Sequence, residues 1–340
     1  MRILISGFGT VGQGFAEAMI LRRNFFQERY GKDLTIVCVM DSSTFALDQS
    51  GLCPAELLER KKSTGKVGTE RYQDPLKVMD SVEYDLLVEV SPTDIKTGGA
   101  GLKNIRHALG AGKDVITVNK GPLALKFCEL VALAKKNNCK FRFEGSVGGA
   151  MPIINLCREN LVGENISSIR GILNGTCNFI LTKMDNGQSF EQALKEAQQM
   201  GYAETDPTND IEGYDSACKV VILANSLFKR NVAFSDVSIT GITAISSEAI
   251  SLAASNNMVI RLIGEVSNDK LEVAPRLVPK GHPLSITGTL NAAQVVTDLA
   301  GPITISGRGA GKIETASAIM SDLVSIMDDR KGREGRCLNQ

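Results

Sequence analysis

The chain has 340 residues, 43% of them apolar, with 38 basic residues against 38 acidic ones. That balance gives no electrostatic case for nucleic acid or an anionic membrane surface as a partner, and no apolar run approaches the roughly 20 residues that cross a bilayer. The eight cysteines form no C-x-x-C pair, and the two histidines, His107 and His282, lie far apart, which leaves little from which to build a disulfide framework or a zinc site. The length predicts two domains, or one with a large insertion. The N-terminal apolar run is too short for a signal peptide, so a cytoplasmic protein is expected.

Arg2 to Ser6 is a short β-rich run, and Gly7-Phe8-Gly9-Thr10-Val11-Gly12 follows at once, before a helix over 11–30. A G-x-G-x-x-G between a strand and a helix is the fingerprint of a dinucleotide site. Gly7 permits the tight turn, Gly9 lets the backbone approach a pyrophosphate, and Gly12 allows close helix–strand packing, while the helix N–H groups meet the phosphates. A second strand, 34–40, ends at Asp41, whose carboxylate is placed to accept hydrogen bonds from an adenosine ribose and so favours NAD. Lys61-Lys62 could neutralise a 2′-phosphate, which keeps NADP open. Strand 85–90 ends in Ser91-Pro92-Thr93, helix 99–111 leads to strand 114–118 and Asn119-Lys120, and helix 122–137 leads to strand 139–143. Strands that alternate with helices and are apolar on both faces predict an α/β fold with a parallel sheet covered on both sides.

After about residue 150 the texture changes. Alternating strands at 166–173 and 271–278 mix with helices near 178–201, 212–226 and 247–255, which predicts an α+β substrate domain with one sheet face covered by helices. Segment 202–219 is the most informative stretch. It carries Glu204, Asp206, Asp210, Glu212, Asp215 and Lys219, first in a loop broken by Pro207 and then on a helix where Asp215 and Lys219 stand four apart and share a face. A lysine held between carboxylates and an apolar helix is a candidate proton carrier for an alcohol or a carbonyl; solvated surface charge is the plain alternative. For Glu204 and Asp210 the plain alternative is helix capping around Pro207. A last helix spans 309–328, and the charged run from Asp328 is expected to fray.

Six blocks, taken together, resemble homoserine dehydrogenase in order and spacing. They are Gly7-Phe-Gly-Thr-Val-Gly, Thr117-Val-Asn-Lys-Gly-Pro-Leu-Ala, Glu144-Gly-Ser-Val-Gly-Gly-Ala-Met-Pro, Gly171-Ile-Leu-Asn-Gly-Thr-Cys-Asn-Phe-Ile-Leu, the 202–219 segment, and Gly307-Arg-Gly-Ala-Gly through Thr315-Ala-Ser-Ala-Ile-Met-Ser-Asp-Leu. The resemblance implies a Rossmann-type doubly wound parallel sheet plus an α+β substrate and dimerisation domain. The NAD(P)-binding part would be residues 1–148 completed by 306–340, and the catalytic and dimerisation part 149–305. It further implies NAD(P)-linked interconversion of L-homoserine and L-aspartate 4-semialdehyde, on the route to threonine and methionine, by a homodimer.

Carried over position by position, Lys219 resembles the family's proton donor and acceptor, with Asp215 beside it. Glu204 resembles the ligand of the substrate amino group, Asp210 lines the same pocket, and Thr176 sits where the family contacts substrate. Lys120 resembles a second essential lysine near nicotinamide and substrate. Ser91 and Thr93 fall where the cofactor lies, and Gly309 resembles the residue that closes the nicotinamide end. The backbone carbonyls of Glu144, Val147, Gly149 and Met151 resemble a structural sodium site. No regulatory domain is expected after the Ser321-Asp-Leu helix, and no kinase module before the first strand.

Two other readings compete with this one. A semialdehyde dehydrogenase would need a cysteine nucleophile with a base beside it, and Cys177, next to Thr176, has no histidine near it in sequence. A non-catalytic NAD(P)-binding or redox-sensing protein would not need the lysines and carboxylates at 120, 204, 215 and 219.

Overall fold

A computed structural model of the chain describes residues 1–31 and 33–337. These form two compact units, Met1–Ser146 together with the chain from Gly311 on, and Val147–Ala310.

The first unit runs β1 (Arg2–Ser6), α1 (Thr10–Tyr30), β2 (Thr35–Met40), β3 (Thr44–Leu52), α2 (Pro54–Thr64), β4 (Glu70–Arg71), α3 (Pro75–Asp80), β5 (Leu86–Glu89), α4 (Gly99–Gly110), β6 (Asp114–Thr117), α5 (Lys120–Lys136) and β7 (Phe141–Arg142). The strand order is β4-β3-β2-β1-β5-β6-β7. Strands β2, β1, β5, β6 and β7 are parallel, with Ile3 opposite Leu86 and Leu86 opposite Asp114. The chain leaves β1 towards β2 on one side and β5 on the other. That is the switch point at which α/β sheets open a crevice beyond their C-terminal strand ends.

Alternate residues of β1 serve opposite faces. Ile3 and Ile5 join one buried cluster with Phe15 and Met19 of α1, and Leu4 joins another with Leu102 and Ile105 of α4. With both faces covered, the strands read as continuous apolar runs. The sheet is not wholly parallel, however. β3 runs antiparallel to β2, and β4 antiparallel to β3. Sequence patterning missed β3 because only Thr44 of its nine residues is buried, β4 covers it only at Thr44 and Phe45, and Asp48-Gln-Ser-Gly carries no apolar alternation.

The second unit contains α6 (Ile153–Asn155), β8 (Ile166–Ile172), α7 (Gly175–Asp185), α8 (Phe190–Gln199), α9 (Thr208–Ile211), α10 (Tyr214–Leu227), β9 (Ser238–Ile239), α11 (Ser247–Ser255), β10 (Met258–Ser267), β11 (Leu271–Pro279), β12 (Leu290–Thr297) and β13 (Pro302–Arg308). Its sheet has the order β13-β12-β8-β10-β11-β9 and is antiparallel except for β9 on β11. Helices α7 and α10 pack on this sheet. A Cβ on Gly264 of β10 would lie 2.9 Å from Leu173 and 3.0 Å from Val220 of α10, so the glycine lets the helix approach closely.

Three predicted elements differ in extent. The helix expected over 178–201 is two, because Gly187 takes φ +91° and Ser189 begins a new helix with a capping box to Gln192. The helix expected at 212 starts at Tyr214, after Gly213 in the left-handed region. The last helix, α12 (Lys312–Cys337), does not stop at 328. It continues through the charged run because Asp328 pairs with Arg29 at 2.9 Å, Asp329 with Lys140 at 2.6 Å and Arg330 with Asp114 at 2.7 Å. Asp114 and its Arg330 partner thereby tie α12 to the start of β6. Among the described residues no helix is long and apolar enough to cross a membrane.

Candidate active site

In the first unit the glycine motif has the geometry of a phosphate cradle. Gly7 adopts φ +99°, and a Cβ there would lie 2.6 Å from the backbone of Val90 and Ser91; one on Gly12 would overlap the Gly7 carbonyl oxygen. At Gly9, by contrast, a Cβ would meet nothing within 4 Å. Gly9 is the N-cap of α1, no side chain caps that helix, and its first turn carries no acid. Positively polarised N–H groups beside open space suit an anion such as a pyrophosphate. Phe8 is buried in the core and anchors the loop, whereas Thr10 is exposed and Val11 half-buried at the first turn.

Asp41 departs from the ribose-binding expectation. Its Oδ1 accepts from the backbone N–H groups of Ser43 (2.9 Å) and Thr44 (2.8 Å) and from both hydroxyls; its Oδ2 accepts from the Lys61 ammonium (2.8 Å) and the Val67 N–H (3.1 Å). Burial pushes the carboxyl up, but the Lys61 ammonium and these N–H donors outweigh it and hold it well below the ordinary value. A carboxylate so fully engaged has little acceptor capacity left for a ribose. The edge hairpin and α2, neither of which the glycine motif announces, supply its partners.

Ser91 donates through its N–H (2.9 Å) and its hydroxyl to Glu89, the last residue of β5, and Thr93 is exposed just beyond. Lys120, half-buried, opens α5, which Asn119 caps by accepting the Gly121 N–H at 3.2 Å. Asn119 belongs to the block that opens at Thr117, but Glu89 lies in no motif. The available signal was a glutamate within an otherwise apolar strand, Leu86-Leu-Val-Glu-Val.

In the second unit the acidic segment folds as loop, short helix and long helix. Lys219, only 7% exposed, donates to Asp215 Oδ2 at 2.6 Å and to the Leu173 carbonyl at 2.5 Å. The shared helix face expected of Asp215 and Lys219 is present. Asn174, unremarked in the sequence beyond its Asn-Gly-Thr setting, joins the carboxylates: its Nδ2 donates to Asp210 Oδ1 at 2.7 Å and Asp215 Oδ2 at 3.0 Å, and its Oδ1 caps α7 by accepting the Cys177 N–H at 2.9 Å. Burial, then repulsion from Asp215, raises the Asp210 carboxyl above its ordinary range.

Capping around Pro207 falls to Asp206, which accepts the Thr208 N–H and hydroxyl; Asp210 lies inside α9. The Thr176 hydroxyl donates to the Tyr202 carbonyl at 2.8 Å, and Glu204 is exposed on the same loop. Cys177 is fully buried with its thiol donating to the Asp210 carbonyl, and burial pushes that thiol well up. A shielded thiol of that kind is a poor nucleophile.

Gly149 has φ +58°, and a Cβ on it would lie 2.6 Å from the Gly309 backbone; a Cβ on Gly309 would in turn overlap the Asn291 amide. The Met151 N–H donates to the Gly148 carbonyl at 2.9 Å, and the Ala150 N–H to the Arg308 carbonyl at 3.0 Å. Val147, Gly149 and Met151 thus lie in one tight turn of the second unit, while Glu144 belongs to the first, where its N–H donates to Asp322 at 2.9 Å.

Comparison with known proteins decides the family. A sequence model described as homoserine dehydrogenase matches residues 152–324, and one described as the homoserine dehydrogenase NAD-binding domain matches residues 7–144. A homoserine dehydrogenase of Methanocaldococcus jannaschii is 47% identical over 97% of this chain and 100% of its own length. The chain belongs to the homoserine dehydrogenase family.

An NAD(+)-dependent homoserine dehydrogenase of Pseudomonas canavaninivorans is 39% identical over 96% of each chain. Among solved structures, a homoserine dehydrogenase from Thiobacillus denitrificans superposes with a TM-score of 0.85 at 32% identity, covering 98% of this chain and 74% of the other. A hyperthermophilic archaeal homoserine dehydrogenase in complex with NADPH superposes at 0.83, with 33% identity and coverages of 95% and 96%. The activity is accordingly that of homoserine dehydrogenase: NAD(P)-dependent interconversion of L-homoserine and L-aspartate 4-semialdehyde in threonine and methionine biosynthesis.

Proposed function

We propose that Lys219 carries the proton of this reaction, with Asp215 orienting it. What supports this most is a nearly buried ammonium held at 2.6 Å by a carboxylate and at 2.5 Å by a main-chain carbonyl, beside an acidic loop. Bound NAD(P) supplies the two-electron acceptor, so the chain has to orient substrate C4 and handle one proton. Towards the aldehyde, the lysine in its neutral form takes the hydroxyl proton; towards the alcohol, the ammonium returns it. Exposed Glu204 binds the substrate ammonium, half-buried Asp210 lines the same pocket, and Thr176 at the start of α7 adds a hydroxyl contact. Lys120, Ser91 and Thr93 line the reacting end of the cofactor.

The glycine cradle fits the pyrophosphate of either dinucleotide. Since Lys61 cancels the charge of Asp41, we take both NAD and NADP as cofactors, with at most a slight preference for NAD. A homodimer and a cytoplasmic location complete the proposal. Reduction of NAD and NADP in parallel by L-homoserine tests it. Turnover with both supports the reading of Asp41 and Lys61, and strict use of one counts against it.

A further inference from the structure

We propose that Glu89 is a positioning residue whose buried carboxylate holds the loop after β5 and the first turn of α5, and through that turn Lys120, in the geometry the reaction needs. The proposal rests on the reading of Ser91 and Lys120 given above.

Glu89 is 0% exposed at the C-terminal end of β5, next to β1 and the switch point of the sheet. Leu86, Leu87 and Val88 before it are all buried apolar residues. A charge in such a strand is costly unless fully bonded, and an apolar side chain would fill the place at lower cost. One oxygen accepts the Ser91 N–H at 2.9 Å and the Ser91 hydroxyl; the other accepts Asn104 Nδ2 at 3.1 Å. The same Asn104 amide donates to Ser6 Oγ at 2.9 Å, one residue before Gly7.

The Glu89 carbonyl accepts the Thr117 hydroxyl at 3.0 Å, and that hydroxyl oxygen accepts the Asn119 N–H at 3.0 Å. Asn119 closes the circuit. Its Nδ2 donates to the Ser91 carbonyl at 3.2 Å while its Oδ1 caps α5. Three segments that face the cofactor crevice are therefore linked to Glu89: 91–93 directly through Ser91, 6–7 through Asn104, and 119–121 through Thr117 and Ser91.

There is little slack around it. A Cβ on Gly101 would lie 2.5 Å from Asn119 Nδ2 and 3.3 Å from Glu89 Oε1, and one on Gly121 would overlap the Asp94 carbonyl. With both α5 and the loop braced in this way, loosening the carboxylate lets Lys120 and Ser91 drift while the surrounding core keeps its packing. A displacement of about 1 Å at a reacting group costs on the order of 100-fold in rate.

The test is a cycle of Glu89→Gln, Lys120→Ala and the double variant in the full chain, with Ser91→Ala as a milder probe that removes only the hydroxyl donor. Turnover, NAD dissociation by calorimetry and hydrogen exchange of the cofactor-free protein are read together. We expect Glu89→Gln to lower kcat about 10- to 100-fold, to weaken NAD binding, and to speed exchange at 91–97 and 119–124. Ser91→Ala is expected to act in the same direction but less. In the Lys120→Ala background the same change should cost under about 3-fold, because residues that act through one another are not additive. Equal fractional losses in both backgrounds, with exchange unchanged in the two segments, overturn the proposal. If Lys120→Ala turns over like wild type, the reading of Lys120 fails instead. Glu89 is then decided by binding and exchange: weakened binding with faster exchange upholds it, and unchanged values overturn it.

Discussion

Asn174 is the residue on which the candidate site of the second unit depends most for its shape, and replacing it gives a graded test. Asn174→Ala removes three bonds, the cap on α7 and the two donations to Asp210 and Asp215. Loss of an asparagine cap costs about 1 kcal/mol. A hydrogen bond to a charged group is worth about 1.5–3 kcal/mol net, but Asp215 keeps Lys219 and both carboxylates reach some solvent, so the lower value applies to each. The total is about 3–5 kcal/mol, which for a unit of this size corresponds to a melting-temperature drop on the order of 10 °C.

Asn174→Asp separates the two functions. An aspartate still accepts the Cys177 N–H, so the cap survives, but it turns an acceptor towards two carboxylates. A carboxyl raised in the folded state contributes stability that is present at low pH and lost as pH rises through its folded value. The Asp variant should therefore match wild type most closely in acid and fall away from it towards neutrality, whereas the Ala variant stays destabilised throughout. Calorimetric melts of both variants across the pH range measure this. Melts of both variants within about 2 °C of wild type at neutral pH, with kcat unchanged, would refute the bridging role.

Other expected outcomes follow from single features. Asp210 is raised by burial and by Asp215, so Asp210→Asn should stabilise the protein at neutral pH, with the gain shrinking as pH falls towards the ordinary aspartate value of 3.8, while KM for homoserine rises; melting and steady-state kinetics check it. Asp41 is held low, so its stabilising bonds are present above 3.8 and lost as pH falls through its folded value. Lys61→Met should cost about 1.5–3 kcal/mol at pH 7 and less in strong acid, as measured by urea unfolding. Gly9→Ala should melt like wild type yet lose cofactor affinity, since its Cβ enters the open cradle. Gly309→Ala, forced against the buried Asn291 amide, should lose about 1–3 kcal/mol of stability.

What was legible in the sequence is what depends on near neighbours. The glycine motif could be read because each glycine answers a local steric demand, and the Asp215–Lys219 pair because helix geometry places residues four apart together. The family blocks then carried the rest of the fold class and the reaction. What stayed hidden needed the tertiary structure. Asn174 meets Asp210 and Asp215 across 36 and 41 residues of chain. The carboxylate of Asp41 looked free for a ribose because nothing nearby in sequence announces that α2 brings Lys61 onto it. The split between α7 and α8 did have a local signal, Asn186-Gly187 followed by a Ser189–Gln192 box, which helical periodicity read straight through. The charged run from Asp328 stays helical only because its partners at Arg29, Asp114 and Lys140 come from distant strands and helices.

The proton carrier is the central claim, and homoserine-dependent reduction of NAD by wild type and by Lys219→Ala, with cofactor affinity measured on the same samples, tests it most directly. The account expects the variant to bind NAD like wild type and to lose at least about 10²–10⁴ in kcat. A folded Lys219→Ala that oxidises homoserine within a few-fold of the wild-type rate would contradict it.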